Sequence, residues 1–113
     1  MVIHQHGALD AVFHALADPT RRGMIGMLAA GERSAGELGQ RFDISQPAAS
    51  KHIRTLERAG LVERRVDGRV HRFALQRRPL EEAEGWIARH RRFWEGSLAS
   101  LDRLLASLPE DAQ

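Results

Sequence analysis

Residues 46–58, QPAASKHIRTLER, hold the side chains best placed to engage another molecule. Gln46, Ser50, Lys51, Arg54, Thr55 and Arg58 share the outer face of a short helix, with Pro47 and His52 beside them, and no carboxylate interrupts the set before Glu57. Glutamine can pair bidentately with adenine, serine can reach either kind of base, and lysine or arginine can contact guanine or a phosphate. A short helix with one apolar stripe and a polar, basic N-terminal half is what a DNA major groove admits. In a helix-turn-helix, the N-terminal residues of the second helix reach the base edges. An ordinary helical hairpin with a solvated basic face would show the same spacing, so spacing alone leaves both readings open.

Residues 34–60 are the elements that must position this face. Ser34 and Glu37 form an S-x-x-E capping box at the start of a first helix, which turns Ala35, Leu38 and Phe42 inward. Asp43 and Ile44 make the turn. Ser45 is the N-cap of the second helix, where Pro47 is tolerated because first-turn N–H groups have no intrahelical partner. Ala49, Ile53, Leu56 and Gly60 follow one stripe at spacings of four, three and four, and Gly60 ends the helix.

The stretch ISQPAASKHIRTLERAGLV resembles the recognition-helix signature of the ArsR family of bacterial winged-helix repressors. The D-P-T-R-R of Asp18–Arg22 and the AGLVERRVDGRVHRFAL after the helix are similar to the same family, so the resemblance runs from about Leu9 to Leu75. It implies a mainly α winged helix-turn-helix with a small β-hairpin, five helices plus wing, acting as a homodimer on an operator in double-stranded DNA, usually as a repressor. On that reading Gln46, Ser50 and Arg54 contact bases. Lys51, Thr55 and Arg58 hold phosphates from the helix, and Arg65 and Arg69 from the wing. Pro47 and His52 complete the DNA-binding set, His52 touching phosphate or capping the turn.

The 113 residues suit one domain with a modest core, here residues 1–113. No run approaches the ~20 apolar residues of a membrane span, and MVIHQHGALD lacks the pattern of a signal peptide, so a cytoplasmic protein is expected. Without cysteine, disulfides and thiolate metal sites are excluded. The net charge is only +2, but its distribution is uneven: −1 over residues 1–40, +6 over 41–78 and −3 over 79–113. A positive segment centred on the candidate helix is the footprint of a nucleic-acid surface.

Elsewhere, a helix over 8–17 carries Leu9, Val12, Phe13 and Leu16 on one stripe, after a frayed 1–7. Asp18 caps a second helix with Pro19 at its first position, and Arg21 and Arg22 there could be either a buttress or phosphate contacts. Residues 61–75 form two β-prone runs around Asp67-Gly68, expected as a type I′ hairpin with Arg64, Arg65, Arg69 and Arg72 on it. Pro79 breaks the chain before a final helix, 80–108, whose apolar stripe includes Ile87, His90, Trp94, Leu98, Leu101 and Leu105. One small domain does not cover so much apolar helix, and a twofold dimer is the simplest cover. The resemblance assigns the first and last helices, with Leu9, Val12 and Phe13, to that interface. The tail PEDAQ reads as disordered.

Many members of the resembled family sense metals, through cysteines before the recognition helix or through Asp-x-His and His-x-x-Glu or His-x-x-His patterns on the last helix. SAGELGQRF and the surroundings of His90 and Asp102 match neither, so no metal site and no cofactor are expected, and no effector is identified. His4 and His6 could at most chelate weakly. Enzyme motifs are missing: there is no phosphate-binding glycine loop, no H-E-x-x-H and no G-x-S-x-G. Glu81, Glu82 and Glu84 are read as complements to a helix dipole. The competing readings are a winged helix used for protein interaction, and a ligand or metal sensor with an unrecognised site.

Overall fold

Leu38, Ile53, Leu56, Leu61 and Met24 are the largest fully buried side chains of the computed structural model, and the helices around them set the architecture. The structure describes residues 2–108, with side chains from Gly7 onward. In order, the elements are α1 (Val2–Leu16), α2 (Pro19–Ala30), β1 (Arg33–Ser34), α3 (Ala35–Arg41), α4 (Gln46–Arg58), β2 (Val62–Asp67), β3 (Val70–Leu75) and α5 (Arg77–Ala106). They divide between two compact units, Met1–Ala83 and Glu84–Gln113. The five helices and the wing hairpin of the first unit and of α5 are those of a winged helix-turn-helix.

Helix ends in the first unit are specified by side chains. Asp18 Oδ2 accepts from the Arg21 amide at 3.0 Å with Pro19 at the first helical position. The Ser34–Glu37 capping box is complete, at 3.2 and 3.0 Å. Ser45 Oγ accepts from the Ala48 amide at 3.2 Å. Both helices of the helix-turn-helix end alike. After α3 the Asp43 and Ile44 amides donate to the Gln40 and Gly39 carbonyls; after α4 the Gly60 and Leu61 amides donate to the Glu57 and Leu56 carbonyls. These are Schellman pairs, which need a left-handed residue at the pivot. Gly60 supplies it at φ 74°, and Asp43 at φ 53°, a conformation aspartate tolerates better than most residues.

Five expectations change. A third strand, β1, pairs with β3 at Arg33–Phe73 and Ser34–Arg72, giving a sheet ordered β1-β3-β2. Two residues carry no readable period, and the extended backbone that an N-cap requires lets Ser34 end the strand and begin α3. Helix α1 starts at Val2, so residues 2–7 are helical; the backbone there contains no proline to stop it. The hairpin loop is Gly68-Arg69, since Asp67 pairs with Val70. Only Gly68 has positive φ, 62°, which is the type II′ pattern instead of type I′. Helix α5 starts at Arg77, with Pro79 inside its first turn, where a missing N–H costs no bond. Glu81, Glu82 and Glu84 therefore lie past the first turn. The tail 109–113 and the side chains of His4 and His6 lie outside the described residues.

The fifth change concerns Val12. It is 3% exposed, within a core shared with Ala15, Met24, Leu28, Ala49 and Phe73, so it has no surface left for a second chain. Leu9 and Phe13 pack against that core but are only half-buried.

Gly23 and Gly26, both on α2, test the packing under the turn. A Cβ on Gly23 would lie 2.5 Å from Phe42 Cε1, whereas one on Gly26 would meet nothing within 4 Å. Glycine-to-alanine in a helix interior ordinarily gains about 1 kcal/mol, but overpacking a ring costs about 1–3 kcal/mol. In urea unfolding, Gly26→Ala should stabilise the protein by up to about 1 kcal/mol, and Gly23→Ala should destabilise it.

Candidate nucleic-acid interface

The burial of one stripe of α4 decides which side chains its other face presents. Ala49, Ile53 and Leu56 are at most 2% exposed. Gln46, Pro47, Ser50, Lys51, Arg54 and Arg58 are exposed, and Thr55 and His52 are half-buried. Among the described residues, the side chains of Lys51, Arg54, Arg58 and Arg69 have no hydrogen-bond or ion-pair partner, so their charges are available. Gln46 lies back beside Gly39, where α3 and α4 approach closely: a Cβ there would come 3.2 Å from Gln46 Nε2 and 3.4 Å from Ala49 Cβ. Thr55 Oγ1 donates to the Lys51 carbonyl at 3.1 Å, which commits its only proton inside the helix.

His52 faces inward toward the start of α2. Its Nδ1 lies 3.3 Å from Arg21 Nη1 and 3.8 Å from Asp18 Oδ2. Arg21 also donates through Nε to the Ala15 carbonyl at 2.7 Å and through Nη2 to the His14 carbonyl at 3.0 Å; Arg22 donates to the Leu16 carbonyl at 2.8 Å. Both arginines of the D-P-T-R-R turn thus bind the last carbonyls of α1, where the helix dipole favours cations. These are the bonds a buttress makes. Arg21 still borders, with Lys51, His52, Arg54, Thr55 and Arg58, a concavity of about 380 Å³. The Arg21 backbone amide holds the Asp18 carboxyl below its ordinary range; burial works against this, and the charges of His52 and Arg21 assist it.

The wing arginines differ sharply among themselves. Arg69 sits free in the hairpin loop. Arg64 is bound bidentately by Glu57, at 2.8 and 3.2 Å, touches His71 Nδ1 at 2.9 Å and lies over the Phe73 ring at 5.1 Å. Glu57 accordingly raises the Arg64 pKa. Arg65 is exposed but ion-paired with Glu32, and Arg72 reaches Glu32 at 3.7 Å and Glu37 at 3.8 Å. Sequence reading missed these carboxylate partners, because they join residues 7 to 40 positions apart with no shared period.

On α5, described by itself, His90 Nδ1 donates to the Trp86 carbonyl at 2.8 Å and stacks on the Trp86 ring at 4.2 Å. The same helix exposes Phe93, Trp94, Leu98, Leu101, Leu104 and Leu105, and Leu108 just beyond it is exposed too. Among the described residues no group of three or more metal-ligating side chains converges, and no helix is long and apolar enough to cross a membrane.

A cationic helix face seated on a capped helix-turn-helix beside a β-hairpin defines a winged helix-turn-helix DNA-binding protein. A helix-turn-helix domain family matches residues 16–65. The chain is 30% identical over 79 residues to the transcriptional repressor SdpR of Bacillus subtilis, covering 70% of this chain and 88% of that one. It is 33% identical over 102 residues to the HTH-type transcriptional regulator Rv2034 of Mycobacterium tuberculosis, covering 90% and 92%. The solved structure of an ArsR-like transcriptional regulator from Rhodococcus sp. RHA1 matches with a TM-score of 0.73 at 30% identity, covering 93% of this chain and 99% of that one. The chain belongs to the ArsR family of transcriptional regulators.

Asp18 generates a pH test. Its folded pKa is depressed, so its contribution is present above the unfolded value of about 3.9 and is lost as pH falls through the folded value. An asparagine at this position would keep the cap and lose the charge. Asp18→Asn should cost about 0.3–1 kcal/mol at pH 7, and the gap to wild type should close below about pH 4, as followed by urea denaturation at each pH.

Proposed function

We propose that this protein represses transcription by binding, as a homodimer, a twofold-symmetric operator in double-stranded DNA. The observation that carries the reading is the exposed, unpaired cationic face of α4, opposite a stripe buried to 2% or less. Gln46, Ser50 and Arg54 contact base edges, Gln46 after swinging off Gly39. Lys51 and Arg58 hold phosphates, and Arg69 does so from the wing tip. Arg65 joins them only by exchanging Glu32 for a phosphate. Pro47 sets the entry of the helix, Thr55 acts as an acceptor within it, and His52 positions α4 on the start of α2. Repression is steric: a dimer on the promoter excludes polymerase, in the cytoplasm, with no effector assigned.

The dimer reading rests on the apolar surface of α5. Seven large apolar side chains between Phe93 and Leu108 are 43–71% exposed. A continuous apolar face of that kind marks an interaction site. A second copy covers Trp94, Leu98, Leu101 and Leu105, with Ile87 and His90 at the proximal end and Leu9 and Phe13 contributed by α1. Two recognition helices then lie about one DNA turn, ~34 Å, apart.

Duplexes recovered by selection from a random pool test the reading, with a scrambled duplex as control. Recovery of a preferred inverted repeat is expected; enrichment of no sequence would favour a protein-interaction module. Gln46→Ala should then lose about 1–3 kcal/mol of discrimination at one base position. Lys51→Ala should weaken all duplexes alike and reduce the salt slope by about 1. Leu101→Asp should sediment as a monomer and lose operator affinity; a monomeric wild type would contradict the dimer.

A further inference from the structure

Arg64 carries a charge beside the reading face, yet that charge is already spent. It lines, with Ser50, Arg54, His71 and Phe73, a cleft of about 300 Å³ between α4 and the wing. Ser50 and Arg54 are base-contact residues in the reading above, so a guanidinium at this cleft stands within reach of bound DNA. Its fork, however, is filled by both Glu57 oxygens, and Glu57 stands on α4 itself. The pair is partly sheltered, the two side chains being 40% and 25% exposed. Bidentate arginine–carboxylate geometry is the strong and specific form of this contact, and the Phe73 ring and His71 fix the guanidinium further. Arg65 is likewise paired, with Glu32.

Sequence-independent affinity for DNA comes from the phosphates a protein neutralises. Each one adds about 0.9 to the slope of log affinity against log salt. An arginine bound to a carboxylate releases no counterion, and its carboxylate repels the phosphates nearby.

We propose that Glu57 limits the sequence-independent DNA affinity of this protein by holding Arg64 out of phosphate contact. This rests on the reading of α4 and the wing as the DNA face. Glu57 is a positioning residue: it acts through Arg64.

The test is a set of anisotropy titrations on a scrambled duplex at several salt concentrations. It uses wild type, Glu57→Ala, Arg64→Ala and the double variant. Glu57→Ala should bind the scrambled duplex several-fold more tightly, with a slope steeper by about 0.9. Arg64→Ala should bind no more tightly than wild type and with no steeper slope, because it frees the Glu57 carboxylate and releases no cation. The double variant should return to the wild-type slope. A Glu57→Ala slope equal to or shallower than wild type would overturn the proposal, as would a double variant that kept the steeper slope of Glu57→Ala. If the pair merely braces the wing, Glu57→Ala and Arg64→Ala would both bind more weakly with the slope unmoved. Thermal melts of each variant establish that it is folded. If wild type itself bound DNA without any salt dependence, the DNA-face reading would fail instead.

Discussion

Ala49, Ile53 and Leu56 press one stripe of α4 into the core, and the orientation of the functional side chains on α4 follows from that contact. Full burial of side chains such as Ile53 and Leu56 stabilises by about 1.5–3 kcal/mol each. A rotation of α4 about its axis would forfeit that burial, so Gln46, Ser50 and Arg54 have no alternative but to face solvent. The stripe is held at both ends by local hydrogen bonding, at the Ser45 cap and at the Gly60 reversal. Burial sets the direction of the cationic face, and capping sets its length.

The second layer of control is polar. Arg21 ties the end of α1 to His52 on α4 through donors from one guanidinium, with Asp18 alongside. Ion pairs at this level of exposure are worth about 0–1 kcal/mol each, so they adjust the seat of α4 without creating it. The wing follows the same pattern: three of its four arginines carry a carboxylate partner, and Arg69 does not. The nominal charge of residues 41–78 therefore overstates the charge that is free to meet a phosphate.

How much of this was legible in the sequence divides by range. Local features were: the Ser34–Glu37 box, the Asp18 and Ser45 caps, the α4 stripe and the Gly60 stop all depend on residues three or four apart, and the structure contains each one. Features that depend on distant partners were not. Strand β1 exists only because residues 72 and 73 return beside it. The neutralisation of Arg64 and Arg65 depends on Glu57 and Glu32, and a resemblance that assigns a whole helix to an interface does not reveal that Val12 is covered by its own chain. The turn type was misjudged by one position, since Asp67-Gly68 and Gly68-Arg69 differ only in strand register.

On this reading the outward face of α4 meets DNA. That contact is tested most directly by titrating isotopically labelled protein with a selected duplex and following each backbone amide. The largest shifts should fall on Gln46, on residues 48–54 and on Gly68 and Arg69, with little change in α5 beyond Trp94. Shifts concentrated on α5, with the first half of α4 unmoved, would contradict it.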